Sequence, residues 1–238
     1  PEGVINAAAY TDVDKAEFEE DKAKIINSDS PKLIAKACLK LKIPLIHIST
    51  DYVFNGIGKT PWKPNDLTYP LGVYGRSKLS GEKEIRSSNC INVILRTSWI
   101  FSENRKNFVK SILDISDTKK EINVVSDQIG SPTPAKNLAF DCISILGQLA
   151  KDPSKSGTYH YCGNPYISRS DLAKTILKLS KKNNTINPVT SANISSTALR
   201  PLNSRLDCSS TLKTFNIKQP DWRPALSEVL YKLTYKNE

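Results

Sequence analysis

HISTDYVFNGIGKTPWKPNDLTYPLGVYGRSK, residues 47–78, is the stretch of sequence that decides the fold of this chain. It begins in an apolar run, residues 45–48, which predicts a buried strand that ends in Ser49, Thr50 and Asp51. A loop rich in glycine and proline follows over residues 55–70 and is longer than most connections in compact domains. Because ligands of open parallel sheets bind outside the carboxyl ends of the strands, we expect a functional site at Thr50.

Tyr74 and Lys78 are the residues with the most distinctive spacing in this stretch. If they lie on a helix, their side chains are one turn apart on the same face. A nearby ammonium favours the phenolate, so we expect the pKa of Tyr74 to fall from about 10 towards neutral pH. The pair alone is weak support, because a surface lysine beside a half-buried tyrosine is common. With Thr50 to orient a carbonyl, the pattern indicates an oxidoreductase in which Tyr74 protonates a ketone that receives a hydride.

Upstream of this stretch, the sequence predicts a strand–helix–strand unit. An apolar strand occupies residues 4–9, and a charged helix follows over residues 15–26. We expect a second helix with Ser30 as N-cap and Pro31 at its first position. Its buried face is predicted to contain Leu33, Ile34, Ala37 and Leu41. Two strands joined in this way form a right-handed parallel crossover.

Downstream of Lys78, strands and helices continue to alternate. Strands are predicted at residues 92–96, 122–125 and 157–161, and helices at residues 108–115, from Thr133, from Ser168 and from about Pro224. The inward faces are predicted to hold Leu138, Cys142, Ile145 and Leu149, then Leu172, Ile176 and Leu179, and finally Leu226, Val229, Leu230 and Leu233. We therefore expect an α/β protein with a doubly wound, Rossmann-type parallel sheet and a smaller α+β domain. The nucleotide-cofactor domain is assigned to residues 1–100 and 128–163, and the substrate domain to residues 101–127 and 164–238.

Composition narrows the classes of protein. The 238 residues are 39% hydrophobic, enough for a core, and no apolar run approaches the roughly 20 residues that cross a bilayer. We expect a cytoplasmic protein without a membrane partner. Five scattered cysteines with two histidines argue against a zinc site or a disulfide framework and favour buried free thiols. The net charge of +10 is spread among acidic residues, which favours a phosphate-bearing substrate over nucleic acid.

Seven segments, in this order, resemble the dTDP-4-dehydrorhamnose reductases, which are extended short-chain dehydrogenases/reductases. The segments are NAAAYTDVDKAE at residues 6–17, HISTDYVF at 47–54, VYGRSKL at 73–79, LRTSW at 95–99, DQIGSPT at 127–133, RPLNSRLD at 200–207 and PDWR at 220–223. Together they extend over nearly the whole chain, and seven ordered matches are far more specific than any single one.

The resemblance implies reduction of dTDP-4-dehydro-β-L-rhamnose to dTDP-L-rhamnose with NADPH or NADH. By matching positions, Tyr74 is the catalytic acid, Lys78 its partner and an anchor of the nicotinamide ribose, and Thr50 a catalytic residue at the carbonyl. The cofactor-binding residues would be Ala8, Ala9, Thr11, Ile48 and Ser49, together with Tyr74 and Lys78. The substrate-binding residues would be Thr50, Asp51, Trp99 and Arg200. A nucleotide-sugar is therefore the expected substrate, and the oligomeric state stays open, with a homodimer among the alternatives.

Two features depart from the family pattern. Pro64 stands where the family usually has an acidic residue, so the loop on the substrate side is expected to differ in detail. A glycine-rich phosphate loop, which in such folds follows the first strand, is missing before Val4. We therefore expect an incomplete copy of the enzyme, with an open strand edge near Val4 and weak binding of nicotinamide cofactor.

Several residues keep two interpretations. His47 and His160 are expected to be hydrogen-bonded core histidines rather than catalytic groups. Trp99 could pack in the core or contact a sugar, and Asp51 could be a structural cap. Arg200 and Arg205 could bind phosphate, and Arg205 could equally pair with a carboxylate such as Asp207. At the level of function, the alternatives are a regulatory subunit like that of methionine adenosyltransferase and a reductase of another 4-keto-6-deoxy nucleotide sugar.

Overall fold

The computed structural model describes residues 1–235, in which strands and helices alternate along the chain. The strands are β1 (Val4–Asn6), β2 (Leu45–Thr50), β3 (Asn92–Thr97), β4 (Ile100–Phe101), β5 (Glu121–Val125), β6 (Ile129–Gly130), β7 (Thr133–Pro134), β8 (Gly157–His160), β9 (Ile167–Ser168), β10 (Thr185–Val189) and β11 (Asn203–Ser204). The helices are α1 (Val13–Ala16), α2 (Glu20–Lys24), α3 (Ser30–Leu41), α4 (Val73–Ser87), α5 (Phe108–Ser116), α6 (Ala135–Lys151), α7 (Arg169–Leu179), α8 (Ser209–Phe215) and α9 (Trp222–Tyr235). No helix within residues 1–235 is long and apolar enough to span a membrane.

A four-stranded parallel sheet in the order β1-β2-β3-β8 forms the centre of the fold. Val4 lies opposite Leu45, and Leu45 lies opposite Asn92, so the strands start at the same level. The predicted parallel strand–helix–strand unit is confirmed. Because all four strands run in the same direction, the residues that follow β1, β2 and β3 meet at one edge of the sheet.

Helices cover both faces of this sheet, because successive side chains of β2 and β3 point to opposite sides. On one face, Ile46, Val93 and Leu95 pack against α6. The buried stripe of α6 consists of the four predicted residues, Leu138, Cys142, Ile145 and Leu149. On the other face, Leu45 and Ile94 pack against α3 and α4 through Ala35, Cys38 and Ile85. The α/β class with a parallel sheet is confirmed.

A second hydrophobic cluster lies among α5, α7, α9 and the parallel pair β5–β10. Its buried members include Val109, Ile112, Ile122, Val124, Leu172, Ile176, Trp222, Leu226, Val229 and Leu230. Leu233 packs against it, so the predicted face of α9 is confirmed. Leu179 is 43% exposed, so its predicted burial is wrong, because α7 ends at this residue. The five cysteines are buried free thiols, as predicted.

The amino-terminal helices differ from the prediction. Strand β1 ends at Asn6 rather than Ala9, and the helix predicted over residues 15–26 is divided into α1 and α2. A π-helical turn, Ile25–Asp29, runs directly into α3, so Ser30 is inside the helix and does not cap it. The predicted buried face of α3 is wrong for Leu33, Ala37 and Leu41, which are exposed. The contact is made by the smaller residues Pro31, Ala35 and Cys38, which are buried, with Ile34 packed beside them.

Candidate active site

A cleft of about 310 Å³ lies at the carboxyl ends of β1, β2 and β3. It is lined by Ala7, Ala9, Thr11, Val13, Ile48, Ser49, Thr50, Asp51, Tyr52, Tyr74, Lys78, Thr97, Ser98, Trp99, Ile100 and Arg169. The structure thus brings together most of the predicted site residues. Ala8 is exposed beside this lining, between Ala7 and Ala9, and Arg200 lies in a neighbouring cleft.

Tyr74 reaches the cleft from the first turn of α4, which packs closely against the segment after β2. Gly75 makes this approach possible, because a Cβ atom there would lie 2.3 Å from the carbonyl oxygen of Tyr52. Burial raises the pKa of Tyr74 above its ordinary value, although a hydrogen bond with Thr50 opposes the shift. The expectation of a lowered pKa is therefore wrong for the protein without bound ligands. Desolvation exceeds any effect of a cation, and the phenol keeps its proton at neutral pH.

Lys78 is fully buried, and its ammonium group contacts β2. Its Nζ donates to the carbonyl oxygen of Ile48 at 2.7 Å and lies 3.2 Å from Nε2 of His47. These partners carry no negative charge, so burial lowers the pKa of Lys78 to about 8. The predicted helical neighbourhood of Tyr74 and Lys78 is confirmed, but the contacts of the ammonium group are to β2.

Asp51 is a buried carboxylate that is only partly satisfied by hydrogen bonds. Thr50 donates its hydroxyl to Oδ1 at 3.1 Å, whereas Oδ2 is buried without a hydrogen-bond partner among the described residues. Burial raises the pKa of Asp51 to about 6, against the opposing influence of the nearby Ser204 and Thr50 hydroxyls. An unpartnered carboxylate oxygen in the cleft wall is suited to accept a hydrogen bond from a hydroxylated ligand.

Arg169 is a residue of the site that the sequence did not reveal. Its guanidinium carbon lies 3.7 Å from the ring centre of Trp99 and 4.7 Å from that of Phe108. Burial lowers the pKa of Arg169 to about 10, and the Asp51 carboxylate opposes this shift. The sequence predicted that a helix begins at Ser168, and Ser168 caps α7 by accepting from the Asp171 amide. The cap places Arg169 at the first position of α7. This position was the one feature of the sequence that could have pointed to Arg169.

Trp99 is held in place by its backbone as well as by Arg169. Its φ of 48° lies in the left-handed region, which non-glycine residues seldom adopt. The indole packs on Gly130, where a Cβ atom would lie 2.7 Å from Trp99 Cε2. A glycine is therefore needed at residue 130 for the ring to lie at the cleft.

A second cleft of about 820 Å³ adjoins the first and shares Arg169 with it. It is lined by Asp14, Leu71, Phe108, Val125, Gln128, Arg169, Ser191, Ala192, Ile194, Ser195, Ser196, Thr197, Ala198, Leu199, Arg200 and Leu202. The Nη2 atom of Arg200 lies 2.6 Å from Asp14 Oδ2, and this pairing holds the pKa of Asp14 below its usual range. Arg205 donates to the side-chain amide oxygen of Asn203 at 2.9 Å, not to the Asp207 carboxylate that was one of its two alternatives.

Comparison with known proteins places this geometry in a family. The model of the RmlD substrate binding domain matches residues 1–235. The dTDP-4-dehydrorhamnose reductase of Sinorhizobium fredii is 37% identical over 239 residues, covering 98% of this chain and 81% of the relative. The chain belongs to the dTDP-4-dehydrorhamnose reductase family. The resemblance stated from the seven sequence segments is confirmed.

Solved structures of the family superpose closely on this chain. A dTDP-4-dehydrorhamnose reductase from Clostridium acetobutylicum matches with a TM-score of 0.90 at 34% identity, covering 98% of this chain and 81% of that one. The Bacillus anthracis reductase, solved in complex with NADP, matches with a TM-score of 0.88 at 32% identity and the same coverages. Family members are oxidoreductases, and a nicotinamide cofactor is the group that the family implies.

The residues of the first cleft fit such a cofactor. Ala7 and Ala9 are small, so they leave space beside the ends of β1 and β2 for a flat ring. Lys78 and Tyr74 line the same cleft and carry polar atoms, which suits the hydroxyl groups of a ribose. Thr11 and Ser49 also line it.

Proposed function

We propose that this protein reduces the 4-keto group of dTDP-4-dehydro-β-L-rhamnose to give dTDP-L-rhamnose, with NADPH or NADH as the reductant. The observation that carries the proposal is that Thr50 and Tyr74 line one cleft at the strand ends, where the Thr50 hydroxyl opposes the rise in the pKa of Tyr74. Two hydroxyl groups that meet in one cleft are suited to hold a carbonyl oxygen. The names of the relatives support the choice of substrate and reaction.

Tyr74 is the proposed general acid. Its raised pKa keeps the phenol protonated at neutral pH, which is the form that a proton donor needs. When bound, the nicotinamide supplies a hydride to the carbonyl carbon. As negative charge develops on the carbonyl oxygen, the Thr50 hydroxyl turns its one proton from Asp51 Oδ1 to that oxygen, and Tyr74 transfers its proton. Lys78 lies one turn away and stabilises the negative charge left on Tyr74.

The second cleft is proposed to hold the nucleotide part of the substrate. Arg169 and Arg200 both line it, and guanidinium groups bind phosphate oxygens with two parallel hydrogen bonds. Because Arg169 lines both clefts, a diphosphate beside it would place the attached sugar near Trp99 and Asp51. The unpartnered Oδ2 of Asp51 would accept from a sugar hydroxyl.

The test is an assay of the protein with dTDP-4-dehydrorhamnose and each reduced cofactor, beside the variant Tyr74→Phe. Loss of the phenol should lower turnover about 10²- to 10⁴-fold if it is the general acid. The matched control is Tyr69→Phe, since Tyr69 is 67% exposed and lies outside both cleft linings. Unchanged turnover in Tyr74→Phe would refute the mechanism. No turnover by the unaltered protein, with this or another 4-keto-6-deoxy nucleotide sugar, would favour a regulatory role.

A further inference from the structure

A single segment, residues 191–200, forms much of the second cleft and is called the cleft segment. More than half of the residues that line this cleft belong to it. After one 3₁₀ turn, Ser191–Asn193, the segment has no regular secondary structure. Residues 192–199 are exposed except Ala198, which is 2% exposed. Because so little of the cleft segment is packed in a core, its position depends on a few polar contacts.

The two ends of the cleft segment are fixed by other parts of the chain. At its start, the Asp127 carboxylate accepts from the Ser191 amide at 2.8 Å and from the Ser191 hydroxyl at 2.7 Å. Just beyond its end, Pro201 is buried and packs closely against Gly56. These contacts do not involve residues 192–199, so the ends are expected to stay in place when the middle of the segment is released.

Asp14, on α1, holds the middle of the cleft segment. Its Oδ1 accepts from the Ala198 amide at 3.1 Å, and its Oδ2 accepts from Arg200 Nη2 at 2.6 Å. Within residues 1–235, every hydrogen bond that links residues 192–199 to the chain beyond Thr190 and the cleft segment goes to Asp14. One carboxylate from the amino-terminal part of the chain is therefore the tether of this cleft wall.

The same contacts fix the direction of the Arg200 guanidinium group. While Nη2 pairs with Asp14, Nη1 donates to the Ala198 carbonyl oxygen at 3.3 Å and to the Ser196 hydroxyl oxygen. A guanidinium group is planar and has five N–H groups, so contacts at both terminal nitrogens set its plane and leave other N–H groups for a ligand. The pairing holds the pKa of Asp14 below its usual range, so both partners are charged at neutral pH.

We propose that Asp14 is a positioning residue that holds the cleft segment and Arg200 in place for the diphosphate of the nucleotide-sugar. Arg200 contacts the phosphate, and Asp14 acts through Arg200 without touching the ligand. The inference rests on the proposed function, which places the nucleotide in the second cleft. The side chains of Arg200 and Asp14 are 30% and 44% exposed, and ion pairs at such exposed places contribute little to folding. The effect of Asp14 is therefore expected in binding rather than in stability.

Charge and position predict opposite effects of replacing Asp14. Its negative charge repels a diphosphate, so by charge alone Asp14→Ala would bind dTDP more tightly. If Asp14 instead holds the cleft segment, the variant has its binding-competent wall for only part of the time, and its affinity falls by that fraction. Water and salt screen the repulsion at this partly exposed site, so we expect the loss of position to decide the sign.

The first measurement is the binding of dTDP and of thymidine by calorimetry, without cofactor or turnover. The preference for dTDP over thymidine isolates the phosphate contacts. It should fall about 10-fold in Asp14→Ala, as expected if the cleft wall is in place about a tenth of the time. In an Arg200→Met background, Asp14→Ala should have little further effect, because the two residues act as a unit. An unchanged or stronger preference in Asp14→Ala, or a second full loss in the Arg200→Met background, would overturn the inference.

The second measurement is turnover of the nucleotide-sugar. In Asp14→Ala the KM for the sugar should rise about 10-fold, while kcat and the affinity for NADPH stay within about twofold, because binding and not the chemical step is changed. A fall in kcat with an unchanged KM would contradict the positioning role. The matched control is Asp29→Ala, since Asp29 is 45% exposed, pairs with Lys24 at 3.2 Å and lies outside both cleft linings. It should change neither the KM nor the preference for dTDP.

The binding data separate a failure of this inference from a failure of the proposed function. If the unaltered protein binds dTDP no more tightly than thymidine, the diphosphate does not lie in the second cleft, and the inference is wrong together with that placement. If the unaltered protein prefers dTDP and Asp14→Ala keeps the same preference, the inference alone is wrong. Should Asp14→Ala not fold, Asp14→Asn gives the same test, because it also removes the ion pair with Arg200.

Discussion

Helix α4 buries two ionisable side chains one turn apart, and their surroundings differ. Glu82 is fully buried and accepts from Arg96 at 2.9 and 2.7 Å and from Ser49 at 2.5 Å. Burial alone would raise the pKa of Glu82, but these contacts outweigh burial and lower it. Lys78 is equally buried, has only uncharged partners, and its pKa is lowered to about 8. Glu82, which is fully paired, stabilises the fold. Lys78, which has no counterion among its partners, has its pKa lowered to about 8 at the cleft.

The largest expected effect on stability comes from removing the arginine that pairs with Glu82. The variant Arg96→Met leaves Glu82 buried without its main partner and should lower the free energy of unfolding by about 3 to 5 kcal/mol. The control is Arg86→Met, because Arg86 contacts the same carboxylate from a position that is 41% exposed and should contribute about 1 kcal/mol or less. Urea unfolding at pH 7 measures both. Similar losses in the two variants would contradict the distinction between them.

The same pair predicts how acid affects stability. Glu82 has a folded-state pKa below its unfolded value of about 4.3, so its stabilisation is complete above that pH and is lost as pH falls through the folded pKa. In Arg96→Met, burial should instead raise the pKa of Glu82, and protonation would then relieve the unpaired charge. The difference in unfolding free energy between the two proteins should shrink from pH 7 to pH 4. A constant difference would mean that packing rather than charge causes the loss.

Replacing Lys78 should change the free energy of unfolding in the opposite direction to replacing Arg96. The variant Lys78→Met should raise the free energy of unfolding at pH 7 by about 1 to 3 kcal/mol, since the buried ammonium disfavours folding. It should also abolish turnover. The folded pKa of about 8 lies below the unfolded value of about 10.4, so the unfolded chain binds more protons between these values. The unaltered protein should therefore gain stability as pH rises from 8 to 10, and Lys78→Met should lack that gain.

The control for this prediction is Lys83→Met, which removes an exposed lysine from the same helix. It should change the stability by about 0.5 kcal/mol or less at either pH. Urea midpoints at pH 7, 8 and 10 separate the two variants. A loss of stability in Lys78→Met at pH 7 would show that the hydrogen bond to Ile48 outweighs the cost of the buried charge.

Patterns with strict periodicity were sufficient to predict much of this fold. The stripe of α6, the start of α7 at Ser168 and the position of Tyr74 and Lys78 on one helix follow from local sequence patterns, and the structure confirms them. The buried face of α3 was predicted from its leucines, but the small residues Pro31, Ala35 and Cys38 make the buried contacts, and a hydrophobic pattern does not indicate that preference.

The candidate site shows a similar division. Thr50, Asp51, Tyr74, Lys78 and Trp99 lie in sequence segments that the family resemblance covers, and the structure brings them into one cleft. Arg169 lies outside those segments, and its place beside Trp99 depends on packing between α7 and a distant loop. The pKa of Tyr74 was predicted in the wrong direction because helical spacing gives the distance between two residues, not the direction of the ammonium group or the extent of burial.

The smallest expected effect on stability concerns Ser49, which contacts Glu82 and also lines the cleft that contains Lys78. Its hydroxyl donates to Glu82 at 2.5 Å, although the residue also lines the cleft and was predicted to bind cofactor. Because Arg96 still pairs with Glu82, Ser49→Ala should lower the free energy of unfolding by about 1 kcal/mol. The exposed Ser87→Ala on α4 is the control. If the Ser49 side chain serves only Glu82, cofactor affinity should be unchanged in Ser49→Ala. A loss of affinity without a loss of stability would show that Ser49 serves the cleft instead, and it would contradict the division of roles between Glu82 and Lys78.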